Sequence, residues 1–445
     1  MRRKKLLSIA LSLVTVATLM AGCAGNAANN STDDTTPPSG QQNAEATQTG
    51  GNINLQWALW DRELTAYYQP LIDAYVAKNP NISIEMIDLG SADYTTMLST
   101  QLSGGASLDI VTIKDMPSYV NLARQNHLEP IDSFVASSGI DTSLYNGVTE
   151  QLIFNDNLYA LPFRSDFWLI FYNKDLFDAQ NIPYPPNDMS LTDYDELSRK
   201  LVSGSGANKV FGAHYHTWRS AVQLFGILDG KNTIIDGSYD FLAPYYELIL
   251  KKQDDGIVQD YATLKTSGTH YSGVFFNNQV AMMNMGSWFI ATQIAKVEDG
   301  ESLSKNWGIV KYPSPDGVPE GTTLGVITAL SVNTKSANKA EALDFMKFVT
   351  GPEGASIIAT TGTIPAILSD EVIDTISSID GFPTDLNSRE ALFTTRAYLE
   401  MPLHERSADI EMVLNEAHDN IMTKNSSIEE GIRDMNTKVT EILNR

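Results

Sequence analysis

Between residues 53 and 113 the apolar positions switch repeatedly between the period of a strand and that of a helix, and this alternation restricts the fold more than any single residue does. Ile53 to Trp60 alternates well enough for a strand, and Arg62 to Asn79 then has helical spacing through Leu64, Tyr68, Leu71, Ile72 and Tyr75. Asn79-Pro80 predicts the stop of that helix, because the residue before proline is pushed out of helical geometry. Ile82 to Ile87 has period 2 again, Tyr94 to Leu102 reads as a second helix closed by Gly104-Gly105, and Asp109 to Ile113 reads as a short buried strand. That rhythm predicts βαβ units and a parallel sheet. A third helix is expected near Pro117 to Asn126.

Farther along, Leu158 to Phe177 reads as a strand entering a helix, and strands and helices continue through Val326. Asn338 to Val349 is an amphipathic helix, with Ala342, Phe345, Met346 and Val349 on one face, and Pro352 to Thr360 follows as another. From about Glu390 the chain is expected to be helical throughout, with Ser427 and Glu430 spaced as a capping box at the start of the last helix. No short-period repeat suggests a solenoid or propeller.

The N-terminus is of a different character. Met1-Arg2-Arg3-Lys4-Lys5 precedes an apolar run from Leu6 to Met20, and small residues lead to Cys23, the single cysteine of the chain. A basic start, a short hydrophobic stretch and small residues before a cut mark a secretory signal, expected over residues 1–22. The run is 15 residues and contains Ser8, Ser12, Thr15 and Thr18, whereas a spanning helix needs about 20 mostly apolar residues. Leu19-Met20-Ala21-Gly22-Cys23 resembles a bacterial lipobox, which implies a diacylglycerol on Cys23 and anchoring at the membrane without spanning it. Residues 24–51 hold no aromatic and are rich in Asn, Thr, Gln, Gly and Pro, so residues 23–51 read as a lipidated cysteine on a flexible tether. As a random coil the tether would span about 30 Å.

Removing the four basic residues of the signal leaves 27 Lys and Arg against 54 Asp and Glu, a formal charge of −27. Such a surface is repelled by nucleic acid and by anionic lipid, and favours a soluble monomer. The body beyond the tether is long enough for two domains.

Several blocks together resemble the extracellular solute-binding proteins of ABC sugar transporters. Gly104 to Val111, Tyr159-Ala-Leu-Pro162, Phe171 to Phe177, Asn181 to Pro186, Thr192 to Leu197, Val280-Ala-Met282 with Gly286-Ser-Trp288, Asn338 to Gly354, and Ile364-Pro365 occur in that family's order across nearly the whole chain from residue 53. The resemblance implies an α/β, two-lobed, periplasmic-binding-protein-like fold with a ligand cleft between lobes joined by crossing hinge segments. It divides the chain into an N-terminal lobe of residues 52–162 and 328–362 and a C-terminal lobe of residues 163–327 and 363–445. Crossings are expected near Leu161 to Arg164, Leu324 to Thr328 and Thr361 to Pro365. It implies an oligosaccharide ligand, ABC-transporter permease subunits as partners, and the extracellular face of the cell membrane as the location. No cofactor is implied.

A sugar offers flat C–H faces and a rim of hydroxyls, which call for aromatic platforms and planar polar groups. The resemblance places Trp60, Asp61 and Arg62, after the first strand, among the ligand contacts; Trp60 could also pack in the core, and Asp61 could equally cap the helix. Asp115, past the Asp109 to Ile113 strand, would face the cleft or cap the helix that contains Pro117. Asp109 is assigned to structure. Asp166 and Trp168 share a strand face by period 2; the resemblance makes Asp166 an acidic sugar ligand, and Trp168 either lines the site or packs between sheet and helix. Tyr215, in Tyr215-His216-Thr217-Trp218, resembles a sugar-contacting tyrosine, with Trp218 assigned to the core. Trp288, after the small Gly286 and Ser287, resembles the family's stacking tryptophan. Near residue 410 the chain offers Ile410, Glu411 and Met412 where maltose-type members carry aromatics, so the resemblance does not extend to maltose.

The chain is read as a binder, not an enzyme. It contains no Gly-x-Ser-x-Gly, His-Glu-x-x-His or phosphate loop. His214 and His216 lack a third nearby ligand for a metal. Two alternatives stay open: a secreted carbohydrate-active hydrolase, which needs two suitably spaced carboxylates, and a lipoprotein receptor for a polyamine or peptide.

Overall fold

The alternating region folds in the expected order. Strand β1 (Ile53–Leu59), the helix Tyr68–Lys78, β2 (Ile82–Asp88), the helix Tyr94–Ser103 and β3 (Ile110–Ile113) succeed one another, and β1 pairs in parallel with both β2 and β3. The computed structural model describes residues 52–445 apart from Leu64, Asn146 and Thr395. The expected signal peptide, Cys23 and the expected tether lie outside the described residues.

The first helix starts at Tyr68 and not near Arg62. Asp61 takes a left-handed conformation with φ 50°. The Asp88 carboxylate accepts the backbone N–H groups of Arg62 and Gly90, each at 2.9 Å, which ties the chain after Asp61 into a loop over the ends of β1 and β2. Asn79 ends the helix as proline requires.

Next come the hairpin β4 (Ile153–Phe154) and β5 (Asn157–Leu158), then β6 (Leu161–Asn173), β7 (Phe211–His214), β8 (Val280–Gly286), β9 (Trp307–Lys311), β10 (Thr322–Val332) and β11 (Arg396–Leu399). The main sheet runs β2-β1-β3-β10-β6-β8-β7, with β9 beside β6 and β11 beside β10. The sheet is mixed: β10 is antiparallel to β3 and β6, and β6 is antiparallel to β8 and β9.

The two long strands join two cores. One core draws on residues 55–163 and 327–358, and the other side of the molecule is built on two clusters from residues 167–442. β6 passes from one side to the other between Phe163 and Phe167, and β10 between Leu324 and Ile327. A third passage lies beside them: Arg164 bridges Pro365, and Ala366 N–H donates to the Phe163 carbonyl at 2.9 Å. The architecture is α/β with two lobes.

Trp57 shows what holds the first core. It is fully buried, donates from Nε1 to Thr112 Oγ1 at 2.8 Å, and meets Tyr68 and Phe345 edge-on at 5.1 and 5.3 Å. Truncating such a ring costs ~3–5 kcal/mol. Asp109 is structural, as read: its Oδ2 accepts Gln56 N–H at 2.9 Å and its Oδ1 the Ser336 hydroxyl at 2.6 Å.

The chain beyond Glu390 is not helical throughout. β11 and a strap running to Arg406 precede the helices Ser407–Met422 and Ile428–Leu443. Arg396 to Leu399 carries no period long enough to mark a strand; it becomes one by pairing with Thr322 to Gly325 of β10. The capping box is present, with Ser427 Oγ accepting Glu430 N–H at 3.2 Å and Glu430 Oε2 accepting Ser427 N–H at 3.0 Å. Among the described residues, no helix is long and apolar enough to cross a membrane.

Candidate functional site

Beside these passages a cavity of about 430 Å³ opens between the lobes. Thr95, Asp115, Met116 and Pro117 line it from the first lobe, Gly325, Val326 and Ile327 of β10 lie between, and Arg219, Leu399, Glu400, Met401, Ala408 and Glu411 line it from the second. This is the position expected of a ligand site in open α/β sheets, outside the carboxyl ends of strands.

Asp115 caps a helix and also lines the cavity. Its Oδ1 accepts Ser118 N–H at 2.7 Å, capping the helix Met116–Arg124, and its Oδ2 accepts the Thr95 hydroxyl at 3.1 Å, while the carboxylate still lines the cavity.

Opposite it stands Arg219, almost fully buried. Its Nε donates to Glu411 Oε1 at 2.9 Å, its Nη2 donates to Glu411 Oε2, and its Nη1 donates to Gln223 Oε1 at 3.3 Å. Gln223 continues to the Tyr246 hydroxyl at 2.9 Å, which lies 3.1 Å from His418 Nδ1. Burial opposes the charge on Arg219, but Glu411 and then Glu400 more than restore it, so its pKa is raised. Glu400 is raised, chiefly by burial and then by Glu411, against the pull of Arg219, Ser220 and Trp168. Trp168 Nε1 lies close enough to Glu400 to favour its ionised form but has no partner at hydrogen-bond distance.

Asp166 does not line the cavity. It is fully buried, accepts Arg164 Nε at 2.8 Å and the Ser287 hydroxyl at 2.8 Å, and Arg164 Nη1 reaches the Tyr67 hydroxyl at 2.8 Å. The carboxylate expected to hold sugar is instead part of a polar chain running from Tyr67 in the first lobe to Ser287 in the second.

Trp60, Asp61 and Arg62 also stand outside the cavity lining. Trp60 is 9% exposed, packs edge-on against Tyr94 at 4.9 Å and lies 5.1 Å from the Lys114 ammonium. Asp61 does not cap the first helix; its charge supports that of Lys114, whose pKa burial lowers. Arg62 is exposed and paired with Glu63 at 2.8 Å.

An aromatic group adjoins the second-lobe wall. The Trp168 and Trp288 rings are 5.9 Å apart, Trp168 and Trp218 6.4 Å, and Trp218 and Trp288 6.2 Å. Gly286 is required here: a Cβ on it would fall 2.0 Å from the Trp288 ring. Trp168 is buried and Trp288 half-buried, whereas Trp218, expected in the core, is 37% exposed. Tyr215 is 5% exposed, with Lys252 Nζ donating to its hydroxyl at 3.5 Å, and it does not line the cavity. Tyr215 continues the inward alternation of β7, while Trp218 sits on the turn before the next helix.

His214 and His216 are buried and neutral. Burial pushes His214 down to about 4 and His216 to about 3, and His214 Nδ1 lies 3.0 Å from Gln259 Oε1. Among the described residues, no group of three His, Cys, Asp or Glu could hold a metal ion.

Sequence reasoning passed over Arg219 and Glu400 and noted Glu411 only as a departure from a family pattern. Arg219 could have been found as a lone cation directly after Trp218. Glu400 could not, because its segment reads as helix.

Two α/β lobes around a cavity that both of them line define a cleft-type solute-binding protein. Residues 61–356 match the bacterial extracellular solute-binding protein family, and the chain belongs to it. Its members bind solutes and are not enzymes, so the hydrolase alternative falls. A sugar transporter of Rhizobium etli, solved in an open conformation, is 55% identical, with a TM-score of 0.80 covering 87% of this chain and 99% of that one. An ABC substrate-binding protein of Listeria monocytogenes, solved with cycloalternan, shares the fold at 17% identity and a TM-score of 0.74, covering 88% and 99%. A binding protein of Brucella abortus is 22% identical over 313 residues, covering 67% of this chain and 72% of that protein.

Proposed function

We propose that this chain is the lipid-anchored extracellular binding subunit of an ABC importer, and that it captures an oligosaccharide and hands it unchanged to a two-subunit permease. The observation that carries the reading is the cavity, whose polar groups come from both lobes: Asp115 from one, Arg219, Glu400 and Glu411 from the other. A ligand that touches both walls binds the closed arrangement better than the open one, and this differential affinity drives closure. Trp218 and Trp288 offer aromatic faces beside the cavity for the C–H faces of a sugar. The 55% identity to a protein described as a sugar transporter supports the same ligand class. The lobes divide between Phe163 and Phe167, between Leu324 and Ile327 and near residues 362/363, and the protein acts as a monomer. Lipid on Cys23 holds the body beside its permease, on the outer face of the membrane.

Titration calorimetry across a panel of mono- and oligosaccharides tests the reading. We expect saturable binding of at least one sugar; no heat from any of them overturns the ligand class. Mass measurement of the mature N-terminus should find a diacylated Cys23, and an unmodified thiol there overturns the anchor.

A further inference from the structure

The cavity has more negative charge than a neutral ligand would need. Asp115, Glu400 and Glu411 line it, and among the described residues Arg219 is its one cationic lining residue. Arg219 is already engaged, since Glu411 holds it through both carboxylate oxygens. The next cation, Lys114, turns its ammonium to the Ser91 carbonyl at 2.6 Å, toward Trp60, and its charge is supported first by Asp61 and then by Asp115. The rest of the wall is largely apolar: Met116, Pro117, Val326, Ile327, Leu399 and Met401.

Glu400 is the focus of the surplus. It is carried on the strap after β11, whose strand pairs with β10 and whose Leu399 and Leu403 pack on the first-lobe core. Glu400 N–H donates to the Gly325 carbonyl at 3.3 Å, which fixes the residue at the cavity wall. Behind it lies the indole N–H of Trp168, 1% exposed and without a partner at hydrogen-bond distance. Burial raises the Glu400 carboxyl overall, while Arg219 first, and then the Ser220 hydroxyl and that N–H, pull it toward the ionised form.

When lobes close on a ligand, water leaves and each unpaired charge becomes more costly. A neutral sugar would bring no cation to offset Glu400 and Asp115, which line the same largely apolar cavity. A protonated amine would compensate both at short range, where attraction in a low-dielectric site is strongest. We infer that the preferred ligand is a sugar bearing a basic nitrogen, with Glu400 as the residue that selects it and Asp115 assisting from the opposite lobe. The inference rests on the sugar reading above and narrows it to amino sugars.

The test is calorimetry with glucosamine, galactosamine and mannosamine, their neutral parents and their N-acetyl derivatives, as monosaccharides and as β-1,4-linked disaccharides. At least one amino sugar should bind tenfold or more tightly than both its parent and its N-acetyl form. Glu400→Gln should erase that preference, lowering amino-sugar affinity at least tenfold more than it lowers that of the neutral parent, and Asp115→Asn, which retains a capping oxygen, should reduce it. Binding of neutral sugars with no amino preference, or a preference that survives Glu400→Gln, overturns the inference and leaves the sugar reading standing. Silence from every sugar overturns both.

Discussion

The two walls of the cavity are built on opposite principles. On the first-lobe side Asp115 is occupied by its own fold, accepting from Ser118 N–H and Thr95 while it caps a helix. Its neighbours Trp60 and Lys114 pack against each other and not into the space. On the second-lobe side Arg219, Glu400 and Glu411 form a charged cluster over a buried relay of Gln223, Tyr246 and His418, next to the tryptophan group. One wall has a single carboxylate, held by its own fold. The other concentrates charge, aromatic surface and buried titratable groups, and so carries more of the folding risk and, in the proposed function, more of the recognition.

Acid should break this asymmetry most strongly. His214, His216 and His418 all belong to the second lobe, and burial pushes them down to about 4, 3 and 3. A histidine with a depressed folded pKa contributes its full stability above its unfolded value of about 6.5, and loses it as pH falls toward the folded value. Each imidazole therefore forfeits on the order of 2–3 kcal/mol between pH 6.5 and 4. Glu400, raised in the fold, works the other way, but it is one carboxyl against three rings. Hydrogen exchange at pH 4.5 should open residues 211–218 and 407–422 before β1 to β3. Equal protection of the two lobes at that pH would remove the asymmetry.

Asp166→Asn tests the polar chain behind the walls. Leaving Arg164 buried without its carboxylate should cost ~3–5 kcal/mol in urea unfolding. A loss below 1 kcal/mol would mean that Asp166 is not the tie between lobes.

Trp218→Ala should weaken sugar binding about tenfold, roughly 1.4 kcal/mol, with little change in the unfolding midpoint. Tyr215→Phe should leave affinity unchanged, because that hydroxyl faces Lys252 inside the lobe. The reverse outcome in calorimetry would restore Tyr215 as the contact. Smallest is Asp115→Ala, which should lose ~1 kcal/mol of stability as a cap, read by thermal melting.

Legibility in the sequence followed the same division. The βαβ start, the stop at Asn79, the structural role of Asp109 and the Ser427 capping box were all readable, since each depends on neighbours a few residues away or on period alone. The cap at Asp115 was readable because Pro117 follows it at an early helical position. Asp166 was misread because period 2 gives its face but not what waits there, and Arg164 and Ser287 came from its own strand and from a corner 121 residues on. Trp218 is exposed and Tyr215 buried because spacing on a turn does not fix which ring faces solvent.

By itself the sequence determined the α/β class, the order of elements and the family, because hydrophobic period and local stop signals act over one helix or strand. Only the tertiary structure decided that Arg396–Leu399 is a strand, that Glu400 meets Arg219, and that Asp115 and Glu411 share a cavity. Those outcomes depend on contacts between residues far apart in the chain, and a four-residue segment takes the conformation its partner strand offers.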